Sequence, residues 1–458
     1  MKFIAGACGG KLLAGSPEKT AARVCTDSRT AQAGDLFFAI KGGRFDGHDY
    51  LAEVAGKGVA AVVIASDRRP ENLPACGVIT VSDPRAALGR FAAAYRAEFD
   101  LPVVAVGGSN GKTSTKELLA SVLRQKFTTL CSEASFNNDI GVPLTLARLD
   151  RSHGAAVVEV GTNHPGELAP LVEMARPRFG IITNIGREHL EFFGDLAGVA
   201  AEEGWLAERL PADGTLFLNG DDMWTNRLAK RTQAKVVRAG FGRNSEWRAG
   251  AARFHRGGMS FEVIAPDKDY SGEYHTGLLG NHQVANAMLV IAAGAALGVG
   301  REEIRRGLAE CPPAKMRLEL WESGGVTVLD DCYNANGDSV LAALRVLSEL
   351  PCKGRRVAVL GDMAELGASA AAAHAEAGRS AAQWRVDQFF AVGKMAAVMA
   401  GAAREAGLTR VLEFGDVESA ARAVKSFLRP GDLVLLKASR AMKLERVAEG
   451  LKPETGGR

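Results

Sequence analysis

The chain of 458 residues has no long apolar run, almost no net charge and no clustered cysteines. Each absence weighs against a class of function. The most apolar long stretch, 284–299, is broken by Gly294 and Gly298. It falls short of the ~20 residues of a membrane span, so a buried helix is predicted there. Lys and Arg total 56 against 53 Asp and Glu, a net charge of +3. That balance is too weak and too evenly spread to argue for nucleic acid or an anionic membrane as partner. The seven cysteines are scattered, with no CxxC and no Cys/His cluster. Disulfide scaffolds and structural zinc sites are therefore poor readings, and free thiols in a reducing compartment are expected. The N-terminal MKFIAGACGG holds one early Lys and a short, Gly-interrupted apolar stretch. A secretory signal needs a longer apolar core. The segment is read as the first strand of a cytoplasmic protein.

Glycine, by contrast, is abundant. Its 53 residues are about 12% of the chain against a usual ~7%, which suggests tight turns and loops that wrap phosphate. The length corresponds to about three domains, and three blocks are visible. In the first, to about residue 99, the short apolar runs Asp35-Leu-Phe-Phe-Ala-Ile40, Ala60-Ala-Val-Val-Ile64 and Gly77-Val-Ile-Thr-Val81 are separated by turn residues. They read as strands alternating with short helices. The second, over 100–312, opens with a buried strand at Val103-Val-Ala-Val106 and a helix over 112–127 whose apolar face holds Leu118, Leu119, Val122 and Leu123. Further apolar runs at 155–158 and 181–182 imply a parallel sheet covered on both faces. Over 213–274 the strands become shorter, and a small antiparallel addition is expected. Cys311-Pro312-Pro313 is the candidate linker, since two prolines cannot continue a helix. The third block, 313–458, alternates again, with strands at 326–329, 356–360, 388–392 and 433–436. The predicted fold class is α/β in three domains: a small N-terminal substrate domain, a central phosphate-loop domain with a parallel sheet, and a C-terminal Rossmann-like domain.

The strongest local signal is Val103-Val-Ala-Val-Gly-Gly-Ser-Asn-Gly-Lys-Thr-Ser114. A strand ends, a glycine-rich loop follows, and a helix opens at Lys-Thr. The amides of such a loop and helix start bind phosphate oxygens. Lys112 would neutralise the β- and γ-phosphates, and the Thr113 hydroxyl would ligate Mg²⁺. The GxxxxGK[ST] spacing is incomplete because Val106 takes the first glycine position; what fits is Gly108-x-x-Gly111-Lys112-Thr113. In a parallel sheet the strand ends adjoin this loop. Glu159 ends one later strand, and His189 follows another after Thr183-Asn-Ile-Gly-Arg-Glu188. Both are candidate metal ligands, or else ordinary strand-end residues.

Together, Gly108-Ser-Asn-Gly-Lys-Thr113, Glu159, Thr183-Asn-Ile185 with His189-Leu-Glu191, and Asn281-His-Gln-Val-Ala-Asn-Ala287 resemble the ATP-dependent Mur ligases. Phe136-Asn-Asn-Asp-Ile-Gly-Val-Pro-Leu-Thr145, Glu159-Val-Gly-Thr-Asn-His-Pro-Gly-Glu167, Asp330-Asp-Cys-Tyr-Asn-Ala-Asn336, Gly361-Asp-Met-Ala-Glu-Leu-Gly367 and Lys437-Ala-Ser-Arg440 narrow the resemblance. They point to the branch that adds D-alanyl-D-alanine to a UDP-N-acetylmuramoyl-tripeptide, and the match runs the whole chain. The Asp-Asn-Pro-Arg signature of the diamino-acid-adding branch is absent.

The resemblance implies an amide-forming ligase that makes an acyl phosphate and releases ADP. It implies ATP and Mg²⁺, small-molecule substrates and a monomer. It assigns catalysis to Lys112, Glu159 and His189, and the metal to Thr113, Glu159 and His189; Glu203 is read as a further catalytic and metal-binding candidate. ATP would be held by Gly108, Ser109, Asn110, Gly111, Lys112, Thr113 and Ser114, and by Asn281, His282 and Asn286 around adenine. Arg317, Asp331, Tyr333, Asn334 and Asn336 would close over it from the third domain. Asn281, His282 and Asn286 lie at a helix start, where Asn and His also serve as caps. Ser28 and Arg29 would meet the uridine diphosphate end, unless Asp27 and Arg29 form a turn salt bridge. Asn137 and Asn138 would sit near the transferred phosphate or the sugar. Lys437, Ser439 and Arg440 are expected near the incoming dipeptide.

Two positions depart from the family. Fourteen residues after His189, where many members carry a carbamylated lysine, this chain has Glu203; a neighbouring family glutamate is Trp205. No carbamate can form on Glu203. It either supplies a carboxylate directly or leaves the second metal site weakened. Gly337 stands where the family has proline after Asn-Ala-Asn, and a looser loop is expected. Another Mur-type amide ligase, or a nucleotide-binding switch protein without catalysis, are the alternatives. The intact Lys112, Thr113, Glu159 and His189 argue against the switch.

Overall fold

The computed structural model describes residues 1–255 and 257–452. Its strands form three sheets of five, nine and six strands. In the first, the order is Lys11–Ala14, Gly77–Val81, Ala61–Ala65, Asp35–Phe38, Arg23–Cys25. All neighbours are parallel except the first pair. The N-terminus corrects the reading above: Lys2–Cys8 is a helix, and the first strand begins at Lys11. Ile4, Ala5 and Cys8 are buried on one helical face, and Gly9 ends the helix in the left-handed region. The short apolar stretch therefore follows a helical period rather than the alternation of a strand.

The central sheet runs Gly272–Thr276, Gly258–Ile264, Trp247–His255, Lys235–Gly240, Thr215–Asn219, Phe179–Ile182, Val103–Gly107, Ala155–Glu159, Thr129–Cys131. The antiparallel addition expected over 213–274 is present in its last strands, and the whole segment extends this sheet. Thr215–Asn219, Lys235–Gly240 and Trp247–His255 join in parallel, and only the last two strands turn antiparallel. Strand residues alternate between two cores, as the pleat requires. Val104 and Val106 face the Lys112–Arg124 and Asn281–Ala296 helices, while Val103 and Ala105 face Leu171, Val199 and Leu206. The apolar stretch at 284–299 is thus core: the helix is buried from Gln283 to Gly294. Among the described residues no helix is long and apolar enough to cross a membrane.

The third sheet has the order Glu319–Ser323, Val326–Asp330, Leu433–Lys437, Arg356–Gly361, Gln388–Val392, Val411–Phe414, parallel except for its first pair. Helices Gly337–Glu349 and Ala370–Gln383 pack on one face with Leu344, Leu347 and Ala377. Predicted helices end one to three residues away from the observed ends; the 112–127 helix stops at Arg124.

The phosphate-loop helix is held from behind by the Arg301–Glu310 helix. Gly307 makes this closeness possible: a β-carbon there would stand 2.5 Å from the Cα of Val122. Ser121 Oγ also donates to the Gly307 carbonyl at 2.7 Å. Gly307→Ala should therefore overpack the crossing and lower stability by about 1–3 kcal/mol, read as a lower urea midpoint. An unchanged midpoint would show that the two helices are free to separate.

Candidate active site

Three adjacent parallel strands of the central sheet end at one place. Val103–Gly107 delivers the phosphate loop, Ala155–Glu159 ends on Glu159, and Phe179–Ile182 leads into Thr183 and Asn184. The loop is locked against the last of these. Ser109 N–H donates to the Asn184 carbonyl at 2.9 Å, and Asn110 N–H to Asn184 Oδ1 at 3.1 Å. Thr183 Oγ1 and Asn184 Nδ2 both donate to the Asn110 carbonyl, at 2.7 and 2.8 Å. Gly186 N–H donates to Ser109 Oγ at 2.8 Å. Gly108 has φ of 105°, and a β-carbon on it would lie 2.4 Å from Thr183 Oγ1. Gly111 has φ of 86°, and its β-carbon would meet Asn286 Nδ2 at 2.6 Å. Only glycine suits both the conformation and the approach. On the far side, Asn286 donates to Gln283, and Gln283 Nε2 to Ser114 Oγ at 3.4 Å.

Lys112 is the electrostatic centre. Its ammonium donates to the carbonyls of Gly108 and Ser109, at 2.5 and 3.1 Å, and stands 3.2 Å from Glu188 Oε2. Burial disfavours its charge, but Glu188, Glu203 and Glu159 together hold its pKa above the ordinary lysine value. Glu203 is fully buried, and its Oε2 accepts the Gly108 N–H at 2.6 Å. Burial pushes its carboxyl up to about 7; Lys112 and the Gly108 N–H oppose that shift, and Glu188 and Glu202 reinforce it. Glu159 Oε1 accepts from Asn137 Nδ2 at 2.9 Å. The other oxygens, Glu159 Oε2, Glu188 Oε1 and Glu203 Oε1, are buried without a partner among the described residues. Glu188 was not singled out in the sequence; its only signal there was its place beside His189.

The expected metal set is not assembled as a unit. Among the described residues no group of three or more His, Cys, Asp or Glu is arranged to hold a metal ion. His189 is engaged elsewhere: at φ of 48° it starts the short Leu190–Phe193 helix, and its Nδ1 meets Glu365 of the third sheet's block at 2.5 Å. Thr113 is buried in the first turn of its helix.

The remaining expectations divide. Asn336 reaches the phosphate loop, with Nδ2 donating to Asn110 Oδ1 at 2.8 Å. Tyr333 hydrogen-bonds Ser135, and Arg317 lies over its ring at 4.0 Å. The imidazole of His282, two residues after Gly280, is neutral: burial, with Lys437 and Arg345 nearby, lowers its pKa to about 4. Asn281 lines a small cavity with Phe254, Met259 and Val346. Asp331 faces inward instead of standing free for a ligand. It takes the ammonium of Lys437 at 2.6 Å, and the Asn334 carbonyl takes the same ammonium at 2.9 Å. Lys437 is thus paired and only 2% exposed, and it presents no open ammonium at the expected dipeptide position. Ser439 receives the Ala364 N–H, and Arg440 pairs with Glu445. Asn138 caps Ile140 and Gly141 with its oxygen. Ser28 and Arg29 lie in a turn of the first sheet's block, where Arg29 forms the expected salt bridge with Asp27 at 2.6 Å.

The chain matches the family models of the Mur ligase catalytic domain over 21–96, the Mur ligase middle domain over 106–294, and the Mur ligase glutamate ligase domain over 316–440. It belongs to the Mur ligase family. Among its relatives, the UDP-N-acetylmuramoyl-tripeptide–D-alanyl-D-alanine ligase of Escherichia coli is 36% identical over 434 residues, 94% of this chain and 93% of that protein. The crystal structure of MurF from Acinetobacter baumannii superposes with a TM-score of 0.89 at 32% identity, covering 98% of both chains. MurF ligase from Thermotoga maritima, solved in complex with ADP, has a TM-score of 0.81 at 25% identity, covering 95% of this chain and 98% of that one.

The raised Glu203 carboxyl has a consequence for stability. An unfolded Glu titrates near ~4.3, whereas the folded group titrates near 7. The folded protein thus holds the extra proton between those values, and stability falls as pH rises through that window. Glu203→Gln removes the penalty. Its ligand-free thermal midpoint should exceed the parent's at pH 8, by at least about 2 °C, with the gain shrinking towards pH 5. A gain that instead grows towards pH 5 contradicts the assignment.

Proposed function

We propose that this chain is the ATP-dependent ligase that joins D-alanyl-D-alanine to UDP-N-acetylmuramoyl-tripeptide, forming the pentapeptide precursor of peptidoglycan. The γ-phosphate passes to the terminal carboxylate of the tripeptide, giving an acyl phosphate and ADP. The amine of the dipeptide then attacks the acyl carbon, and inorganic phosphate leaves. The observation that carries this reading is the phosphate loop around Lys112 with buried, half-satisfied carboxylates beside it, in a chain similar over nearly its whole length to ligases of that name.

The chemistry asks for positioning and for neutralisation of charge, since an anionic phosphate must meet a carboxylate. In this reading the loop amides from Gly108 to Thr113 cradle the phosphates. Lys112 leaves Glu188 and the loop carbonyls to follow the transferred charge. Asn137 steadies Glu159 at the site. Asn281, neutral His282 and Asn286 border the base, and Arg317, Tyr333, Asn334 and Asn336 cover the nucleotide from the third domain. Asp331 acts at one remove, by fixing Lys437 and with it the Asn334 carbonyl. Ser28 and Arg29 are assigned to the uridine diphosphate end, Arg29 after release from Asp27.

A divalent cation fits the residues present, because Glu159 Oε2 and Glu203 Oε1 are buried carboxylate oxygens without partners among the described residues. With Thr113, and with His189 once freed from Glu365, they would hold Mg²⁺, which when bound offsets phosphate charge. Glu203 offers that carboxylate without carbamylation. We assign domain boundaries near 99/100 and 312/313, and the protein acts as a monomer in the cytoplasm.

Phosphate release measured with ATP and Mg²⁺ should require both UDP-MurNAc-tripeptide and D-alanyl-D-alanine. It should proceed equally in CO₂-depleted and bicarbonate-supplemented buffer. Release from ATP alone, or none with both substrates present, would overturn the assignment. In the same assay Glu203→Gln should abolish turnover, and Lys112→Ala should cost at least about 100-fold in kcat. Full activity of Glu203→Gln would remove Glu203 from the mechanism.

A further inference from the structure

Arg187 joins the second domain to the third through a single side chain. It lies between Gly186, which is bonded to the phosphate loop, and Glu188, which faces Lys112. Its N–H donates to Asp338 Oδ2 at 2.7 Å and its Nε to Asp338 Oδ1 at 2.8 Å. Its Nη1 donates to Glu376 at 2.5 Å. Asp338 stands in the first turn of the Gly337–Glu349 helix, and Glu376 in the Ala370–Gln383 helix. One guanidinium thus ties the wall of the phosphate loop to two helices of the other domain.

The fork is seated on Gly337. A β-carbon at that position would come within 3.1 Å of Arg187 Cζ and 3.3 Å of Nε and Nη2. A β-carbon on Gly186 would stand 2.8 Å from Asp338 Oδ2. The glycine at 337 therefore does not loosen the loop, as the sequence led us to expect. It is a buried first residue of a capped helix whose missing side chain makes room for arginine. Two further contacts lie along the same seam, Asn336 to Asn110 and His189 to Glu365. A cavity of about 520 Å³ adjoins the pair, lined in part by Arg187, Gly337, Leu366 and Glu376. Arg187, Asp338 and Glu376 are 28, 38 and 37% exposed. Water and salt reach the clasp, so it can open.

We propose that Arg187 is a positioning residue: seated on Gly337, it clasps Asp338 and Glu376 and holds the third domain on the phosphate loop before nucleotide binds. Asn336 and its neighbours are then already in place, and less of the nucleotide's binding energy goes into closing the domains. The effect on KM rests on the ligase reading; the effect on domain spacing does not.

The test compares the parent, Arg187→Ala and Gly337→Pro. Proline suits the first position of a helix, and Asn336 already has the extended backbone that precedes proline. That variant keeps the helix and fills the seat. In small-angle scattering of the ligand-free protein, both variants should show a larger maximum dimension than the parent. In turnover, both should raise KM for ATP about fivefold or more, with kcat within about twofold. Scattering and KM both unchanged would overturn the proposal. So would a drop in melting temperature with KM unmoved, because that is the mark of a merely structural residue. Wider spacing in variants of a protein that lacks ligase activity would sink the ligase reading and keep the clasp.

Discussion

A single ammonium faces three buried carboxylates at the head of the central sheet. Lys112 cannot neutralise Glu159, Glu188 and Glu203 together, and each keeps one oxygen without a partner among the described residues. Uncompensated negative charge away from water is costly, and burial accordingly raises the pKa of the Glu203 carboxyl. The site is therefore built to receive positive charge. Nucleotide phosphates alone would worsen the imbalance. The loop geometry serves the same end: Lys112 bonds the carbonyls of its own loop, which keeps its ammonium beside the loop amides.

The pair Glu202 and Glu203 shows how a helix divides neighbouring acids. Successive residues project about 100° apart around a helix. Glu203 turns to the loop and accepts Gly108 N–H. Glu202 turns away and accepts the N–H groups of Gly166 and Leu168 at the start of the Leu168–Ala175 helix. Trp205 lies under the guanidinium groups of Arg209 and Arg231. The carboxylate at 203 also depends on its neighbour in space. A β-carbon on Gly107 would stand 3.0 Å from Glu203 Oε2 and 3.3 Å from Leu206, so an unbranched backbone there leaves the acid its room.

Much of this was legible in the sequence, for local reasons. A buried strand, a glycine turn and an amphipathic helix are written in consecutive residues, and so were the phosphate loop and the alternation of the third domain. The N-terminal helix was missed because ten residues interrupted by glycine carry too little period to separate helix from strand. Lys437 was misplaced for a different reason: nothing local tells that its partner is Asp331, more than a hundred residues away in the chain. Glu188 stayed invisible because its role is defined by Lys112 across the sheet. Motif spacing brings residues near a site; which of them carry a free polar atom there is decided by long-range pairing.

The glycine surplus is the clearest case of composition explained only by contact. Glycines at strand-end loops were expected for turns, and Gly108 and Gly111 do adopt left-handed backbone. Their second task is spatial. Thr183 closes on Gly108, Asn286 on Gly111, Asp338 on Gly186 and Arg187 on Gly337. In each pair a polar side chain from another segment occupies the volume a β-carbon would need. Such pairs bring polar side chains up against a neighbouring segment's backbone without a cavity between them. A glycine at 337 is thus informative only together with an arginine at 187. Seen singly, one is a weak helix start and the other a surface charge; seen together, they describe how the third domain seats on the second.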